Sequence, residues 1–237
     1  MNYDASTLRP LAERAIAFLK EGTTIGLGSG RTAHAFVTCL GEQVQAGFRI
    51  TGVPTSRDTA DLAASLGIPL TTLEQVEELD LTVDGADEVE TATLNLIKGL
   101  GGALVREKIV AASGRRLIIL VTPEKLVQKL GSRGVLPIEI VPFGLALCQR
   151  RLAGLGLPPT LRTKEGKPFV TDNGNFILDC KVPPLENVAG LEQTLLSIPG
   201  VVGTGLFLGM AEIVLAQDGS VVTEYQRSQR MAPATRW

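Results

Sequence analysis

The stretch Thr23-Thr24-Ile25-Gly26-Leu27-Gly28-Ser29-Gly30-Arg31-Thr32 predicts a short buried strand that enters a glycine-rich turn, followed by a helix over residues 32–40. The three glycines permit positive φ angles and let a ligand approach the backbone closely. N–H groups of the turn and of the helix N-terminus can bind an anion. A tight turn without a ligand is the alternative, because the glycine spacing matches neither the dinucleotide fingerprint nor the Walker motif. The candidate anion-binding residues are Ser29, Gly30, Arg31 and Thr32.

Strands and helices alternate on both sides of this turn through the first half of the chain. Apolar residues at helical spacing predict helices over residues 8–19, 58–66 and 103–112. Apolar runs predict strands over residues 48–53, 68–73, 79–83 and 117–121. This alternation predicts a Rossmann-like parallel α/β sheet, in which ligands bind at the carboxyl ends of the strands.

The pattern changes after Gly131. Residues 135–141 and 201–207 read as strands, residues 143–152 and 188–198 as helices, and residues 171–175 as a hairpin turn between strands 168–170 and 176–178. This order predicts an inserted small α+β domain of ferredoxin-like type over residues 132–205, serving as a lid or for oligomerisation. Residues 1–131 and 206–237 then form the main domain, with strands at 212–215 and 221–224. The polar tail from Arg227 is expected to be mobile.

The composition narrows the class of protein. The chain has 237 residues, 44% of them hydrophobic, and a net charge of −2, so no global field favours nucleic acid or an anionic membrane. No apolar run approaches the ~20 residues that span a bilayer. The cysteines, Cys39, Cys148 and Cys180, match no metal spacing, and no signal peptide is evident. We expect a cytoplasmic protein. The single histidine, His34, excludes a zinc site built from several histidines and is expected to be structural.

An acidic segment follows the predicted strand 79–83. It reads Asp84-Gly85-Ala86-Asp87-Glu88 and lies at the carboxyl end of that strand. Helix capping by Asp87 or Glu88 is one interpretation, and a magnesium site is another, because hard cations prefer carboxylates. Catalysis or substrate binding by Asp84 and Asp87 is favoured, whereas Glu88 is expected to be structural.

A third segment combines a lysine, a glycine loop and a glutamate. Lys98 ends an apolar stretch and enters the loop, and Glu107 lies on the helix predicted from Ala103. Apolar helical neighbours would bury the Glu107 carboxylate and raise its pKa toward that of a general base. A surface glutamate between Arg106 and Lys108 is the alternative. Together with Asp84 and Lys98, the functional interpretation is favoured.

Two further segments carry weaker signals. Residues 54–58 follow another strand, and they either contribute to the ligand-binding edge or cap the next helix through Ser56. Lys125 follows the strand that ends at Val121. It either reaches an anion or is an ordinary surface lysine.

These motifs, in this order, resemble the ribose-5-phosphate isomerase A family along nearly the whole chain, to about Val222. Besides the glycine turn, the matching segments are Pro54-Thr55-Ser56, residues 84–88, Lys98-Gly99, Glu107-Lys108-Ile109, residues 136–142, 171–175 and 198–202, and Gly205-Leu206-Phe207. The family usually has serine where this chain has Arg31, which puts affinity for the substrate in question more than the reaction type.

The resemblance implies conversion of D-ribose 5-phosphate to D-ribulose 5-phosphate through a cis-enediolate, without a metal or organic cofactor. It implies that Glu107 is the proton acceptor and that Asp84, Asp87 and Lys98 complete the catalytic set. It also implies a homodimer or homotetramer and a role in the pentose phosphate pathway. The implied substrate-binding residues are Ser29, Gly30, Arg31, Thr32, Asp84, Gly85, Ala86, Asp87, Lys98, Gly99, Leu100, Gly101 and Lys125.

Two alternatives stay open at this point. One is a related sugar-phosphate isomerase or aminosugar-phosphate deaminase, and the other is a non-catalytic sensor of sugar phosphates. A sensor should tolerate loss of Glu107 and Lys98, which are both present. A deaminase would plausibly use a histidine for ring opening, and His34 is not in an acidic cluster. The isomerase is therefore favoured.

Overall fold

The computed structural model describes residues 7–227, and the predicted mobile tail lies almost entirely outside them. The helices are α1 (Arg9–Ile16), α2 (Arg31–Gln45), α3 (Arg57–Ser65), α4 (Leu104–Ala112), α5 (Leu145–Gly154) and α6 (Val188–Leu196). The strands are β1 (Thr24–Leu27), β2 (Thr51–Pro54), β3 (Leu81–Gly85), β4 (Glu88–Glu90), β5 (Leu96–Ile97), β6 (Leu117–Val121), β7 (Leu126–Val127), β8 (Val135–Ile140), β9 (Pro159–Leu161), β10 (Thr163–Lys164), β11 (Lys167–Pro168), β12 (Phe176–Lys181), β13 (Val201–Thr204), β14 (Leu206–Phe207), β15 (Ile213–Asp218) and β16 (Val221–Gln226). Short 3₁₀ helices cover Leu73–Gln75, Pro123–Lys125 and Pro142–Gly144.

A six-stranded sheet forms the centre of the molecule, with strand order β16-β15-β6-β3-β1-β2. All neighbours are parallel except β15 and β16. The parallel part is a doubly wound α/β sheet, and its strand order reverses between β1 and β3. The predicted parallel α/β sheet is confirmed.

Helices cover both faces of this sheet because its central strands are apolar on both sides. All five residues of β6 are buried. Ile118 and Leu120 pack in the core beneath α1 and α2, whereas Leu117, Ile119 and Val121 pack in a second core with Ala111 of α4. Alternate residues of a strand point to opposite faces, so one apolar run supplies two cores.

The inserted segment forms a second unit, here called the four-stranded unit, made of β8, β9, β12 and β13 with α5 and α6. Its strand order is β13-β8-β12-β9, and all neighbours are antiparallel. The order along the chain is βαββαβ, which is the predicted ferredoxin-like arrangement. A third, small sheet has the strand order β14-β5-β4-β7. Its strands β4 and β5 lie between β3 and β6 in sequence, whereas β7 and β14 precede and follow the four-stranded unit. The boundaries 132 and 205 remain a prediction.

Three predicted elements are wrong. The single strand predicted over residues 201–207 is divided into β13 (Val201–Thr204) and β14 (Leu206–Phe207), which belong to different sheets. Residues 68–73 form no strand: only a single bridge joins Leu70 to Gly52, and a 3₁₀ helix begins at Leu73. Residues 168–170 do not pair with 176–178, because β11 pairs with β10 whereas β12 pairs with β8 and β9. The turn at 171–175 does form, with hydrogen bonds from Thr171 N to Asn175 O and from Gly174 N to Thr171 O. Local turn signals could not show which strands would pair across the sheet.

Candidate active site

The candidate site lies at the carboxyl edge of the central sheet, where β1 and β3 end side by side. The side chain of Asp84, near the end of β3, is buried, and its Oδ1 accepts hydrogen bonds from Ser29 N (3.0 Å) and Gly85 N (2.7 Å). Gly28 packs directly against it: a Cβ at this position would lie 2.2 Å from Asp84 Oδ1. The glycine turn after β1 therefore holds the first carboxylate of the site.

Lys98 joins two carboxylates from different elements. Its Nζ lies 3.0 Å from Asp84 Oδ2 and 3.3 Å from Glu107 Oε1, and it donates a hydrogen bond to Gly85 O. Lys98 follows β5, while Glu107 lies in the first turn of α4. The relative exposures of Lys98, Asp84 and Glu107 are 3%, 1% and 5%. These three side chains, here called the buried triad, thus form a water-poor site at which charge interactions are strong.

The buried triad has perturbed protonation equilibria. Burial raises the pKa of Glu107 to about 8; the ammonium of Lys98 opposes this rise, and the negative charge of Asp84 adds to it. Burial also raises the pKa of Asp84, against the opposing effect of Lys98 and of the two N–H groups. Burial disfavours the ammonium of Lys98, but Asp84 and Glu107 outweigh it and raise its pKa. The site therefore favours the protonated form of Glu107 more than water does.

One carboxylate oxygen of Glu107 is not used in protein contacts. Among the described residues, Oε2 has no hydrogen-bond partner although it is buried, whereas Oε1 faces Lys98. Buried polar atoms without partners are rare and call for an explanation. A substrate hydrogen that meets Oε2 would supply one.

Asp87 contacts the glycine loop that follows Lys98. Its Oδ2 accepts a hydrogen bond from Leu100 N (2.9 Å). Gly99 and Gly102 have φ angles of +107° and +90°, which favour glycine, so the loop can turn tightly here. The predicted residues Gly85, Ala86, Gly99 and Gly101 belong to the two segments that this hydrogen bond connects.

The glycine turn places the predicted anion-binding residues at the carboxyl edge of the central sheet. The hydroxyl groups of Ser29 and Thr32, however, already form hydrogen bonds within the protein. Ser29 Oγ lies within hydrogen-bond distance of Thr55, Ser56 and Thr59. Thr32 Oγ1 donates to Leu120 O (2.8 Å). Gly30 has φ +86° and precedes Arg31, the first residue of α2. The helix N-terminus and the Arg31 guanidinium are therefore the groups of this turn that are best suited to bind an anion.

Arg31 and Lys125 both lie beside Glu124. Arg31 Nη2 is 3.9 Å from Glu124 Oε1, and both side chains are about half exposed. Lys125 is the last residue of the 3₁₀ helix after β6 and is partly buried. Burial opposes ionisation of Glu124, but hydrogen bonds, chiefly from Thr122, and the positive charges of Lys125 and Arg31 together outweigh burial and lower the pKa of Glu124. Arg31 and Lys125, here called the cationic cluster, thus lie on the sheet edge that carries the glycine turn.

Three residues outside this set have structural roles. Glu88 is fully buried and accepts hydrogen bonds from Gly131 N and Arg133 N, so its predicted structural role is confirmed. Ser56 caps α3 by accepting a hydrogen bond from Thr59 N, which favours the capping interpretation of residues 54–58. His34 Nε2 lies 3.1 Å from Thr59 Oγ1, within the hydroxyl cluster.

Phe207 contributes to the site, although the sequence alone does not predict this contribution. Its ring centroid lies 5.6 Å from Lys98 Nζ and 5.0 Å from Lys108 Nζ, so it offers a cation–π contact to both. In the sequence, Phe207 stands out only as part of a segment that matches the family. Its distance along the chain from Lys98 gave no sign of this contact.

In the part of the chain that the structure describes, the site is accompanied by neither a candidate metal cluster nor a membrane-spanning helix. Within residues 7–227, no three His, Cys, Asp or Glu side chains come together in a group suited to a metal ion. No helix in the described part of the chain is long and apolar enough to cross a bilayer. In the buried triad, the cation between the two carboxylates is Lys98.

Known proteins share both the sequence and the fold. The family model of ribose 5-phosphate isomerase A (phosphoriboisomerase A) matches residues 51–220. Ribose-5-phosphate isomerase A of Gloeobacter violaceus is 50% identical over 87% of this chain and 90% of its own length. The ribose-5-phosphate isomerase A of Roseiflexus castenholzii is 49% identical over 94% of this chain and 97% of its own length.

Solved structures agree with this similarity. Ribose 5-phosphate isomerase A from Methanocaldococcus jannaschii superposes with a TM-score of 0.89 at 35% identity, covering 95% of this chain and all of the other. A D-ribose-5-phosphate isomerase in complex with phospho-erythronic acid gives a TM-score of 0.91 at 38% identity, over 96% of this chain and all of the other.

Fold, site and sequence together define the chain as an isomerase of sugar phosphates. It belongs to the ribose 5-phosphate isomerase A family.

Proposed function

We propose that this enzyme interconverts D-ribose 5-phosphate and D-ribulose 5-phosphate through a cis-enediolate, with Glu107 as the proton-transfer base. The observation that carries the proposal is the buried, unpartnered Oε2 of Glu107, a carboxylate whose pKa of about 8 suits a base near neutral pH. The family assignment supports the overall reaction.

The proposed step moves one proton between two adjacent carbons. Glu107 takes the proton from C2 of the open-chain aldose, the electron pair forms the C1–C2 double bond, and negative charge develops on O1. The hydroxyl proton on O2 passes to O1, and protonated Glu107 returns its proton to C1, which leaves a ketone at C2. A cis-enediolate keeps both oxygens on one side, within reach of one cation.

Lys98 and the two aspartates fit the remaining tasks. The Lys98 ammonium stabilises the developing oxyanion, and its effect is large because the site excludes water. Asp84 and Asp87 bind substrate hydroxyl groups, and Asp84 assists ring opening. Both carboxylates are themselves oriented by backbone N–H groups, those of Ser29 and Gly85 for Asp84 and that of Leu100 for Asp87.

The cationic cluster is proposed to bind the phosphate group. The N-terminus of α2, Arg31 and Lys125 provide positive potential on the edge that carries the buried triad. Phospho-erythronic acid, the ligand in complex with one similar isomerase, carries a phosphate and a planar carboxylate. The carboxylate resembles the charge of an enediolate, which agrees with a site of this kind.

Oligomeric state and domain division remain proposals. We propose a homodimer or homotetramer in which the domain 132–205 contributes to subunit contacts. Phe143 is fully exposed in this segment, and Val141 and Val202 are partly exposed there, which supports such a contact. Light scattering of the purified protein measures the subunit number directly.

The test follows ribulose 5-phosphate formation from ribose 5-phosphate in the presence of EDTA. Glu107→Gln is compared with Glu74→Gln, an exposed glutamate on the 3₁₀ helix Leu73–Gln75. We expect metal-independent turnover that Glu107→Gln reduces by at least about 1000-fold, while substrate binding persists. Unchanged kcat in Glu107→Gln would remove Glu107 as the base. Binding without turnover in the wild type would identify a sensor.

A further inference from the structure

Arg162, a residue of the four-stranded unit between β9 and β10, reaches into the glycine loop beside the buried triad. Its Nε donates to Asp179 Oδ2 (2.9 Å), and its Nη2 donates to Asp179 Oδ1. The remaining nitrogen, Nη1, donates to Gly99 O (2.8 Å) and Leu100 O (3.0 Å). Asp179 therefore fixes the planar guanidinium, which in turn holds two carbonyl groups of the loop.

The Gly99–Leu100 peptide lies between opposite charges. Its carbonyl oxygen faces the Arg162 guanidinium, and its N–H group donates to Asp87 Oδ2 at 2.9 Å. Each charge strengthens the hydrogen bond on the other side of the peptide. The orientation of this one peptide group thus links Arg162 to the Asp87 carboxylate.

The same part of the four-stranded unit also holds the far end of the loop. Phe169 packs so closely against Gly102 that a Cβ there would lie 2.5 Å from its ring. Phe169 N donates to Arg162 O (2.9 Å). A loop with three glycines has many accessible conformations, so these contacts select one of them.

We propose that Arg162 is a positioning residue for the isomerisation: it holds the Gly99–Leu100 peptide so that the Leu100 N–H group orients Asp87 and the loop after Lys98 keeps its course. This inference rests on the proposed function of Asp87 and Lys98. It also assigns the four-stranded unit a part in building the active site.

The decisive variant is Arg162→Lys. Lysine keeps the charge that pairs with Asp179, but a single ammonium cannot hold Asp179 and both loop carbonyls at once. We expect kcat for ribose 5-phosphate to fall about 10- to 100-fold with Tm near that of the wild type. Arg150→Lys on α5, an exposed arginine, serves as the matched control and should leave kcat unchanged. Asp179→Asn should also lower kcat, because it releases the guanidinium.

Hydrogen exchange of the Leu100 amide gives a readout that is independent of turnover. We expect faster exchange over residues 99–102 in Arg162→Lys and unchanged exchange in the core strand β6. Unchanged kcat and unchanged exchange in Arg162→Lys would overturn the inference while leaving the proposed reaction intact. If the wild type lacks turnover, the proposed function fails, and a role for Arg162 in that reaction fails with it. Accelerated exchange would then show only that Arg162 holds the loop.

Discussion

Lys98 Nζ lies 3.3 Å from Glu107 Oε1, and both side chains are almost fully buried. In this ion pair Lys98 contacts Oε1 of Glu107. The other carboxylate oxygen of Glu107, Oε2, has no hydrogen-bond partner among the described residues. Because Asp84 shares the same lysine at 3.0 Å, one ammonium faces two carboxylates in a water-poor site. Burial is the main cause of the raised pKa of Glu107; the negative charge of Asp84 adds to the rise, and the ammonium of Lys98 opposes it.

The first prediction concerns the pH dependence of catalysis. A general base must be ionised, and the pKa of Glu107 is raised to about 8. We therefore expect kcat/KM to rise about tenfold per pH unit below that value and to level off above it. The measurement is kcat/KM between about pH 5 and 9.5. A rise centred near about pH 6 would report the substrate phosphate instead. A profile that stays level over the whole measured range would contradict the raised pKa of Glu107.

The second prediction concerns stability, and the sign follows from proton binding. The folded state binds the Glu107 proton more tightly than the unfolded state does, so the free energy of unfolding decreases as pH rises from about 4.5 to 8. Glu107→Gln has no ionised form and should be more stable than the wild type at about pH 8.5. Each kcal/mol of difference in the free energy of unfolding corresponds to a shift of about 2–4 °C in Tm.

Calorimetry of both proteins at about pH 5 and about pH 8.5 measures this difference. The advantage of Glu107→Gln should be larger at the higher pH than at the lower one. A variant that is equally destabilised at both values would show that the Lys98 contact outweighs the cost of burying the charge. Glu74→Gln again serves as the exposed control.

The third prediction concerns the packing of the glycine turn. In Gly28→Ala the new methyl group would lie 2.2 Å from Asp84 Oδ1, so Asp84 must move. A displacement of about 1 Å can cost about 100-fold in rate, and we expect a loss of that order in kcat. Gly154→Ala is the matched control, because nothing lies within 4 Å of its added Cβ and it ends α5. Wild-type kcat in Gly28→Ala would show that Asp84 tolerates displacement.

The fourth prediction concerns Arg31, the first residue of α2. We expect Arg31→Ser to raise KM by about tenfold, with a smaller change in kcat. A tenfold effect corresponds to the free energy that one hydrogen bond to a charged group contributes. High salt should reduce this difference by screening the half-exposed guanidinium. Arg49→Ser, an exposed arginine paired with Glu21, is the control. A large loss of kcat at unchanged KM would contradict a role in ground-state binding.

Much of the fold was predictable because its signals are local. The apolar run Leu117–Val121 and the helical spacing around Glu107 each report burial from neighbouring residues alone. The strand predicted over residues 68–73 is wrong because this signal is also local. An apolar pattern indicates that residues are buried, but it does not show whether a neighbouring strand is present to pair with them. The segment instead makes only a single bridge and then turns into a 3₁₀ helix.

The sequence by itself determined the type of chemistry: a glycine turn, a carboxylate after a strand, and a lysine and a glutamate joined by a glycine loop. These residue types act through properties that each carries wherever it lies. Only the tertiary structure decided their environment, because a pKa depends on burial and on charges brought close by distant segments. It placed Lys98 between Asp84 and Glu107, turned the Ser29 hydroxyl inward, and brought Arg162 across from another unit onto the loop beside Asp87.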